Sequence, residues 1–297
     1  MAETGRGPTF TVVVVTIGGL PVLERCLRSI AEGDRVPDEL VLVDQSLAGR
    51  SVPARRWLEG SRVPFRHLVV EPMGVSRARN LGAAQARGDF IAFTDDDCVP
   101  DSAWLCNFAE VAFRTGADAA SSRVLPLADQ TAGRLAVSLR TAGDELVSDG
   151  SESHAPWDIG TGASMLVRAQ SFRSVGGFDE GFGPGARFRA AEDIDLLERL
   201  MVAGATVVYA PEPVVYHQLK TRAEWVRRQV PYGYGMGGMV ARAAPARRRF
   251  LMRSYGAMLS SSAASGLRRA SAARVAEALL MAVGFARGFA AARRRAP

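Results

Sequence analysis

Four short apolar runs mark the first part of the chain, at residues 10–16, 40–43, 65–70 and 90–93. They are rich in Val, Leu, Ile and Phe and too short for core helices, which is typical of buried parallel strands. Helical stretches separate them, one from Pro21 to about Ile30 and one over residues 76–87. The alternation predicts βαβ units and an α/β fold with a mostly parallel, Rossmann-like sheet flanked by helices.

The later pattern is more varied. Residues 164–167, 206–209 and 214–217 are predicted strands, and residues 175–189 form a Gly-rich loop. Residues 191–203 are predicted to form a helix, because their apolar positions recur on one face and Gly204 follows. Residues 117–157 show no clear period, and we expect loops around a helix there, either as an acceptor-facing insertion or as an ordinary surface excursion.

A change of character follows Lys220. The segment RAEWVRRQ indicates the start of a basic helix, residues 231–238 (PYGYGMGG) are predicted to be a loop, and residues 272–295 an amphipathic helix. The longest uncharged apolar run in that helix, residues 278–286, is far shorter than the roughly 18 residues of a membrane span. No stretch of signal-peptide type precedes the first strand. We therefore expect a cytoplasmic protein that does not span a bilayer.

Charge is distributed unevenly along the chain. From Leu219 onward there are 16 Lys or Arg and two acidic residues, a balance of +14, whereas the rest of the chain carries −8. A basic tail on an acidic body indicates an anionic partner. Lipid headgroups and phosphorylated acceptors are candidate partners. The C-terminal helix has two equally favoured interpretations: peripheral binding to the anionic inner face of the cell membrane, or a plain helical cap on the catalytic domain. Nucleic acid is not expected, because the basic residues lack an interleaved stacking platform beyond two tyrosines.

Carboxylates follow two of the predicted strands. Asp44 ends the second strand, and Asp95, Asp96 and Asp97 follow the fourth. Ligands of parallel α/β sheets bind at the carboxyl ends of the strands. Three adjacent aspartates repel one another unless a cation is present, and Mg²⁺ or Mn²⁺ prefers such oxygen ligands. The three cysteines form no CxxC pair and suggest neither a disulfide framework nor a zinc site. Cys98, beside the carboxylates, is expected to be a buried filler.

The string VSRARNLGAAQARGDFIAFTDDDCVPDSAWL at residues 75–105 resembles the family-two glycosyltransferases of GT-A fold. The first strand, the VDQS segment, and the later segments GTGASMLVR, GGFDEGFG and AEDIDLLERL are similar to that family in the same order. The resemblance covers residues 9–217 and implies transfer of a sugar from a nucleotide-diphosphate sugar, with inversion, to an acceptor hydroxyl. The acceptor is open, and a glycan, a lipid-linked intermediate or a small molecule would fit.

The resemblance also implies roles for individual residues. Asp44 is expected to hydrogen-bond the nucleobase, which favours UDP as the donor nucleotide. Asp95 is expected at the ribose or the metal, Asp97 as a direct ligand of Mn²⁺ or Mg²⁺, and His217 as a third ligand. The remaining nucleotide-site residues are expected to be Thr16, Arg77, Arg79, Asn80 and Asp96, although Asp96 is the least secure of the aspartates.

The resemblance further implies a general base for the transfer. The acceptor hydroxyl must lose its proton to a carboxylate as it attacks the anomeric carbon. Asp193 matches the expected base, and Glu192 is expected to orient Asp193 or the acceptor; ordinary acidity of a helix N-terminus is the alternative for both. Trp157 and Gly162 are expected on the acceptor side, with a core position equally open for Trp157.

Two departures from the common family pattern weaken the nucleotide assignment. Gln45 stands where many relatives carry Asn or Asp, and Ile17-Gly18-Gly19 replaces a frequent Tyr-Asn-Arg. Two other functions remain as alternatives: a sugar nucleotidyltransferase, which would need a phosphate loop with lysine, and a nucleotide-sugar or polysaccharide-binding protein without transfer. The expected organisation is a catalytic domain at residues 1–218 (nucleotide half 9–115, acceptor half 116–218) and a helical basic extension at 219–297.

Overall fold

A computed structural model describes residues 7–18, 23–46, 57–127, 134–135, 139–149 and 154–294. Pro21, the expected start of the first helix, lies outside these residues. The strands are β1 (Phe10–Thr16), β2 (Glu39–Asp44), β3 (Phe65–Val69), β4 (Phe90–Asp95), β5 (Cys98–Pro100), β6 (Ala119–Pro126), β7 (Leu146–Ser148), β8 (Ser164–Arg168) and β9 (Val207–His217). The principal helices are α1 (Leu23–Ala31), α2 (Val75–Gln85), α3 (Trp104–Thr115), α4 (Pro156–Ile159), α5 (Ala169–Ser174), α6 (Glu192–Val202), α7 (Arg222–Arg242), α8 (Pro245–Arg268) and α9 (Ala272–Arg293).

Within the described residues, nine strands form a single sheet in the order β3-β2-β1-β4-β8-β6-β9-β5, with β7 paired to β9. Strands β1 to β4 are mutually parallel, and β6 and β9 continue in their direction. Strands β5, β7 and β8 run the other way. The expected α/β fold with a mostly parallel sheet and flanking helices is confirmed.

The sheet is buried on both faces, as the continuous apolar runs predict. Val12 and Val14 pack on one face against α1 and α3, and Val13 packs on the other against α2 and α6. The inward face of α6 was identified correctly, since Ile194, Leu197, Leu200 and Met201 are all buried.

The region around β6 differs from the expectation of loops around a helix. Here β6 is a central strand between β8 and β9, and its serines Ser121 and Ser122 are fully buried. Their hydroxyls are satisfied by the Ile159 carbonyl, at 2.6 Å, and by the Ser164 hydroxyl. Because these hydrogen bonds compensate burial, a strand without an apolar run is stable in the core.

Strand β9 replaces the two separate strands expected at residues 206–209 and 214–217. It pairs with β6 over almost its whole length, and the register shifts where Ser122 and Arg123 lie opposite Ala210 and Val214. An irregularity of this kind absorbs the Pro-Glu-Pro segment inside one strand. His217 is therefore held at the end of a long and well-buried strand.

The loop expected at residues 231–238 is wrong, because these residues lie inside α7. Gly233 and Gly237 of α7 cross Gly284 and Gly288 of α9 so closely that a Cβ at any of them would overlap the backbone of the other helix. Glycines four residues apart let two helix backbones approach in this way. Packing against α9 therefore outweighs the low helix propensity of the segment.

The expected amphipathic character of α9 is also wrong. Its glycines pack inward, but Leu279 and Val283 are 62% and 47% exposed, so apolar side chains lie on both faces. Among the described residues α9 alone is long and apolar enough to cross a membrane, with a mean hydropathy of 1.5 over an 18-residue window that is 17% buried. The expectation that no helix could span a membrane rested on the longest uncharged run, residues 278–286, which underestimated the apolar length of α9.

Candidate active site

The carboxyl ends of β1, β2 and β4 meet at one edge of the sheet. Thr16 lies opposite Asp44 in the β1–β2 pairing, and Val15 lies opposite Asp95 in the β1–β4 pairing. The predicted carboxylates therefore share an edge, as the parallel arrangement of the strands requires. A cavity of about 1390 Å³ opens there, and Thr16, Asp95, Asp96 and Asp97 all line it.

Each of the three consecutive aspartates has its own partner. Asp95 accepts a hydrogen bond from Arg79 at 2.6 Å, and Asp96 accepts one from Thr16 Oγ1 at 2.6 Å. Asp97 pairs with the ammonium of Lys220. The repulsion that the sequence predicts within this run is thus reduced by two cations and a hydroxyl, before any metal binds.

The partners give the three carboxyl groups different acidities. Burial raises the pKa of Asp95, and the neighbouring Arg79 offsets this only in part. Burial also raises the pKa of Asp96 to about 7, against the lowering effect of the hydrogen bond from Thr16. Burial acts on Asp97 in the same direction, but His217 and Lys220 outweigh it and hold the pKa of Asp97 below its usual value. Asp97 is therefore the most readily ionised member of the run.

His217 lies beside the run, opposite Cys98 in the β5–β9 pairing. Its Nδ1 is 2.7 Å from the Gln218 carbonyl, so Nδ1 carries the proton and donates. Its Nε2 lies 3.6 Å from Asp97. A backbone acceptor on one imidazole nitrogen is the usual arrangement around a metal-binding histidine.

Ligand atoms of Asp95, Asp97, Cys98 and His217 all lie within 4.8 Å of one another. The expected burial of Cys98 is confirmed, and burial raises the pKa of its thiol well above the usual value. A neutral thiol is a poor ligand for a hard cation. The two carboxylates and the imidazole therefore form the set that fits Mn²⁺ or Mg²⁺.

Asp193 lines the same cavity, at the start of α6. Its carboxylate accepts hydrogen bonds from the backbone N–H of Gly162 and, at 2.8 Å, of Ile194. A Cβ on Gly162 would lie 2.9 Å from the Cβ of Asp193, so only glycine allows this approach. Gly162, expected at the acceptor, contacts Asp193 directly and fixes its orientation.

Arg79 connects the aspartate run with the start of α6. Its guanidinium bonds Asp95 on one side and Glu192 Oε1, at 3.1 Å, on the other, and its side chain is 4% exposed. Burial, together with the charge of Asp193, raises the pKa of Glu192 to about 7, although Arg79 lowers it. Asp95 of the candidate metal site and Glu192 at the start of α6 are thus held in one hydrogen-bonded network.

The Gly-rich loop was placed correctly at residues 175–189, and it closes over the first turn of α2. Ser76 Oγ donates to the Phe182 carbonyl at 2.7 Å, and Asn80 exchanges two hydrogen bonds with the backbone of Phe178. Gly183 has φ +93°, and a Cβ there would lie 2.7 Å from the Val75 side chain. Glycine is required at this point by both the backbone angle and the close approach.

Three residues expected in the nucleotide pocket are not among the described residues that line the cavity. Asn80 holds the Gly-rich loop, as above, and Arg77 is exposed and lies 3.3 Å from Glu180. Asp44 is buried and bonds the Ser46 N–H and His67, both at 2.9 Å, whereas its neighbour Gln45 lines the cavity. A local motif identifies the region but does not show which side chains the fold turns inward.

Trp157, expected either on the acceptor side or in the core, lines the cavity. It packs edge-on against Tyr255 of α8, with ring centroids 5.5 Å apart. Among the described residues its buried Nε1 has no hydrogen-bond partner, and neither has the Thr161 hydroxyl next to Gly162. Buried polar atoms without partners are rare, and these two belong to residues of the cavity wall.

Lys220 and Arg228 also line the cavity, and the sequence pattern did not single them out as site residues. Lys220 is buried against Asp97, and the charge of Asp97 contributes to the raised pKa of Arg228, which burial alone would lower. Both belong to the basic C-terminal segment, which the charge distribution predicts to bind an anionic partner outside the chain. The position of Lys220, three residues after His217, is the signal that could have identified it.

Comparison with known proteins identifies the family. The profile described as Glycosyl transferase family group 2 matches residues 90–291, and that of Glycosyl transferase family 2 matches residues 11–134. The chain belongs to the family-two glycosyltransferases. The membership includes α7 to α9, since the longer match extends through most of α9.

One curated relative is the pre-mycofactocin glycosyltransferase of Mycobacterium tuberculosis, 31% identical over 168 residues. The match covers 54% of this chain and 33% of the relative, so the chain spans about a third of the length of that protein.

Two solved structures share the fold. The mannosyltransferase PcManGT of Pyrobaculum calidifontis, solved with GDP-Man and Mn²⁺, is similar with a TM-score of 0.67 and 19% identity over 95% of this chain and 88% of that one. Residues 1–349 of TarS from S. aureus, solved with UDP, are similar with a TM-score of 0.60 and 15% identity, covering 96% and 89% of the two chains. At such identities the likeness establishes the GT-A fold.

Proposed function

We propose that the protein is an inverting, metal-assisted glycosyltransferase that moves a sugar from a nucleotide-diphosphate sugar onto an acceptor hydroxyl, with Asp193 as general base. The observation that carries the proposal is one cavity lined by Asp95, Asp97 and Asp193. The two aspartates of the run have the ligand chemistry for a cation and a diphosphate, and Asp193 is a carboxylate oriented by backbone N–H groups. Family membership supports the same reaction.

In the proposed reaction the acceptor oxygen forms a bond to the anomeric carbon as the bond from that carbon to the diphosphate oxygen breaks. The electron pair leaves with the diphosphate, and the hydroxyl proton passes to a carboxylate oxygen of Asp193. Attack from the face opposite the leaving group inverts the anomeric configuration. Gly162 orients the base for this step, because its N–H holds one oxygen of Asp193.

A divalent cation held by Asp95, Asp97 and His217 would supply positive charge to the departing diphosphate. Lys220 and Arg228 add fixed positive charge beside the same carboxylates. Positive groups placed where negative charge develops stabilise the transition state. We assign Lys220 and Arg228 to the leaving group for this reason, and Arg79 to positioning Asp95 and Glu192, since both ends of its guanidinium are already bonded within the protein.

We propose UDP as the donor nucleotide, with the nucleobase near the ends of β1 and β2. Thr16 and Gln45 line the cavity there. Asp44 does not line it, but its carboxylate accepts a hydrogen bond from the Ser46 N–H and so holds the segment that carries Gln45. The mannosyltransferase neighbour is a complex with GDP-Man and the TarS neighbour a complex with UDP, so the fold is compatible with either nucleotide.

We further propose that Trp157 and Thr161 bind the acceptor, since both line the cavity and Thr161 directly precedes Gly162, which holds Asp193. The division into a catalytic part (residues 1–218) and a basic extension (219–297) is retained with one addition. Because Lys220 and Arg228 lie in the extension and line the cavity, the extension completes the active site.

Peripheral contact between α9 and an anionic membrane is proposed as well. The exposed side chains Leu279 and Val283 are apolar, and the segment from Leu219 onward carries a balance of +14. Burial of exposed apolar side chains and attraction to anionic headgroups both strengthen binding at a membrane interface. This contact would place the protein at the inner face of the cell membrane.

The deciding experiment is a thermal-shift panel of UDP, GDP, dTDP and CMP, each with and without Mn²⁺, followed by transfer assays of Asp193→Asn. A ligand at a hundred times its dissociation constant stabilises the folded state by about 2.7 kcal/mol. We expect a Mn²⁺-dependent shift with UDP in both proteins and no transfer by Asp193→Asn. Full activity of Asp193→Asn would exclude the proposed base. No shift with any nucleotide would favour a polysaccharide-binding protein.

A further inference from the structure

The cavity continues well beyond the carboxylates and Asp193. Its volume of about 1390 Å³ exceeds the 300–1,000 Å³ that is usual for a small-molecule site. Past Trp157 its wall is formed by α7, α8 and α9, through Met236, Met258, Leu259, Ala278 and Met281. We call these five residues and Trp157 the apolar arm. A nucleotide and one sugar at the carboxylates leave the arm free.

The arm is partly enclosed by the protein. Met236 and Ala278 are buried, and the other members are half-buried. Three of the six are methionines, whose unbranched and polarisable side chains adapt to flexible apolar ligands. The chemistry of the wall therefore fits a hydrocarbon better than a sugar chain, which would need hydrogen-bonding groups along its length.

The arm joins the reacting end of the cavity at a polar junction. Trp157 lies at this junction, and Thr161 follows it next to Gly162, which holds Asp193. The buried Trp157 Nε1 and Thr161 Oγ1 have no partners in the part of the chain that the structure describes. A ligand with a polar head and an apolar continuation would place its head beside Thr161 and Asp193 and its continuation along the methionine-lined wall.

The far end of the arm lies on the helix with the exposed apolar face. Ala278 and Met281 line the arm, whereas Leu279 and Val283 of the same helix face solvent at 62% and 47% exposure. Ser262, Ser271, Arg274 and Glu277 are polar residues that line the same cavity. An apolar chain that leaves the arm here would arrive beside the surface that we propose contacts a membrane.

We propose that the apolar arm binds the hydrocarbon chain of a lipid-linked acceptor, whose hydroxyl-bearing head lies at Trp157, Thr161 and Asp193. The inference rests on the proposed transferase function and specifies its acceptor class. The occupant is a lipid chain because the wall is apolar, continuous with the general base and adjacent to the exposed face of α9.

The test uses the full-length protein and dodecyl maltoside with bromine atoms in its alkyl chain, below its critical micelle concentration. Bromine quenches tryptophan fluorescence at short range, so Trp157 reports occupation of the arm. We expect saturable quenching in the wild type that is strongly reduced in Trp157→Phe. Maltose alone should not displace the probe. Displacement by maltose, or absence of saturable quenching, would overturn the proposal.

Variants of the arm make the test specific. Leu259→Asp and the nearly isosteric Met281→Gln should weaken binding of the probe at least tenfold. Met252→Asp is the matched control, since Met252 lies on the same helix as Leu259, is 45% exposed and does not line the cavity. Wild-type affinity in both arm variants would also overturn the proposal.

A nucleotide shift measured in parallel separates this inference from the proposed function. Each variant should keep the Mn²⁺-dependent thermal shift with UDP, which also shows that it is folded. A retained nucleotide shift without binding of the probe would refute the lipid-linked acceptor alone. Loss of the nucleotide shift in the wild type would refute the proposed function.

Discussion

The backbone N–H of Gly162 donates a hydrogen bond to the carboxylate of Asp193, and the two residues are too close for any side chain at position 162. The contact joins the segment before β8 to the start of α6. Since catalytic groups must be held within a fraction of an ångström, a glycine that makes no contact through a side chain still sets the position of the proposed base.

We therefore predict that Gly162→Ala lowers kcat about 100-fold while the affinity for UDP and Mn²⁺ stays within twofold. The added Cβ would lie 2.9 Å from the Cβ of Asp193 and displace it. Steady-state kinetics and nucleotide titrations measure the two effects. Gly143→Ala is the control, because nothing lies within 4 Å of its added Cβ. An unchanged kcat in Gly162→Ala would show that this contact does not position the base.

A second prediction concerns Lys220 and Asp97, which form an ion pair at the proposed metal site. Lys220→Met removes a cation that competes for the same carboxylate. Like charges about 4 Å apart repel by roughly 1 kcal/mol in water and more when buried, so Mn²⁺ should bind about tenfold more tightly. Transfer should nevertheless slow, because the leaving diphosphate loses a positive group.

Calorimetric titration of Mn²⁺ and steady-state kinetics would check both effects of Lys220→Met. Arg222→Met is the matched control, because it removes a basic residue two positions away that does not line the cavity. Weaker binding of Mn²⁺ in Lys220→Met would mean that Lys220 supports the metal site instead of competing with it.

The third prediction follows from Glu192, whose pKa is raised from 4.5 to about 7, first by burial and then by the charge of Asp193. Between these two values the folded protein retains a proton that the unfolded chain has released. The free energy of unfolding should therefore fall as pH rises through this window, by up to about 1.4 kcal/mol per pH unit from this group, and level off above pH 7.

Urea unfolding of the wild type and of Glu192→Gln, in metal-free buffer at intervals from pH 4.5 to 8, isolates this contribution. The variant cannot titrate at this position, so its stability should decline less across the window. Parallel curves for the two proteins would show that Glu192 does not retain the proton in the folded state.

Much of the sheet and of its polar edge could be predicted from the sequence. Strands β1, β2 and β4 are continuous apolar runs, and Asp44 and Asp95 end two of them, so their shared edge follows from parallel pairing alone. Strand β6 escaped prediction because Ser121 and Ser122 interrupt its apolar pattern. Their hydroxyls are satisfied by residues about 40 positions away, a compensation that local sequence cannot show.

The cavity wall was harder to predict, because it depends on which way the fold turns each side chain. Arg79 faces the cavity, whereas Arg77, two positions earlier on the same helix, points outward to Glu180. Lys220 was missed because charge counting assigns a basic segment to an external partner, whereas its nearest partner is Asp97 within the chain. The roles in metal binding, nucleotide binding and catalysis stay predictions until the variants are measured.

A fourth prediction concerns the glycines of the C-terminal helices, where two identical substitutions should act in opposite directions. Gly288→Ala places a Cβ against the Tyr234 carbonyl of α7 and should lower the free energy of unfolding by about 1–3 kcal/mol, as overpacking does. Gly256→Ala, in α8 with open space around its added Cβ, should raise it by up to about 1 kcal/mol through helix propensity. Chemical denaturation of both variants measures the difference, and equal effects would contradict close packing of α7 on α9.

The last prediction tests the outer face of α9. The pair Leu279→Glu and Val283→Glu, made together, should lower cosedimentation with vesicles that contain phosphatidylglycerol at least tenfold, because it replaces exposed apolar area with charge of the same sign as the lipid. The thermal shift with UDP and Mn²⁺ should stay unchanged, since neither residue lines the cavity. Val202→Glu is the control, because Val202 is 68% exposed at the end of α6. If the double variant sedimented as well as Val202→Glu, the exposed face of α9 would not be the membrane contact, and the basic side chains of the extension would have to account for any binding that depends on anionic lipid.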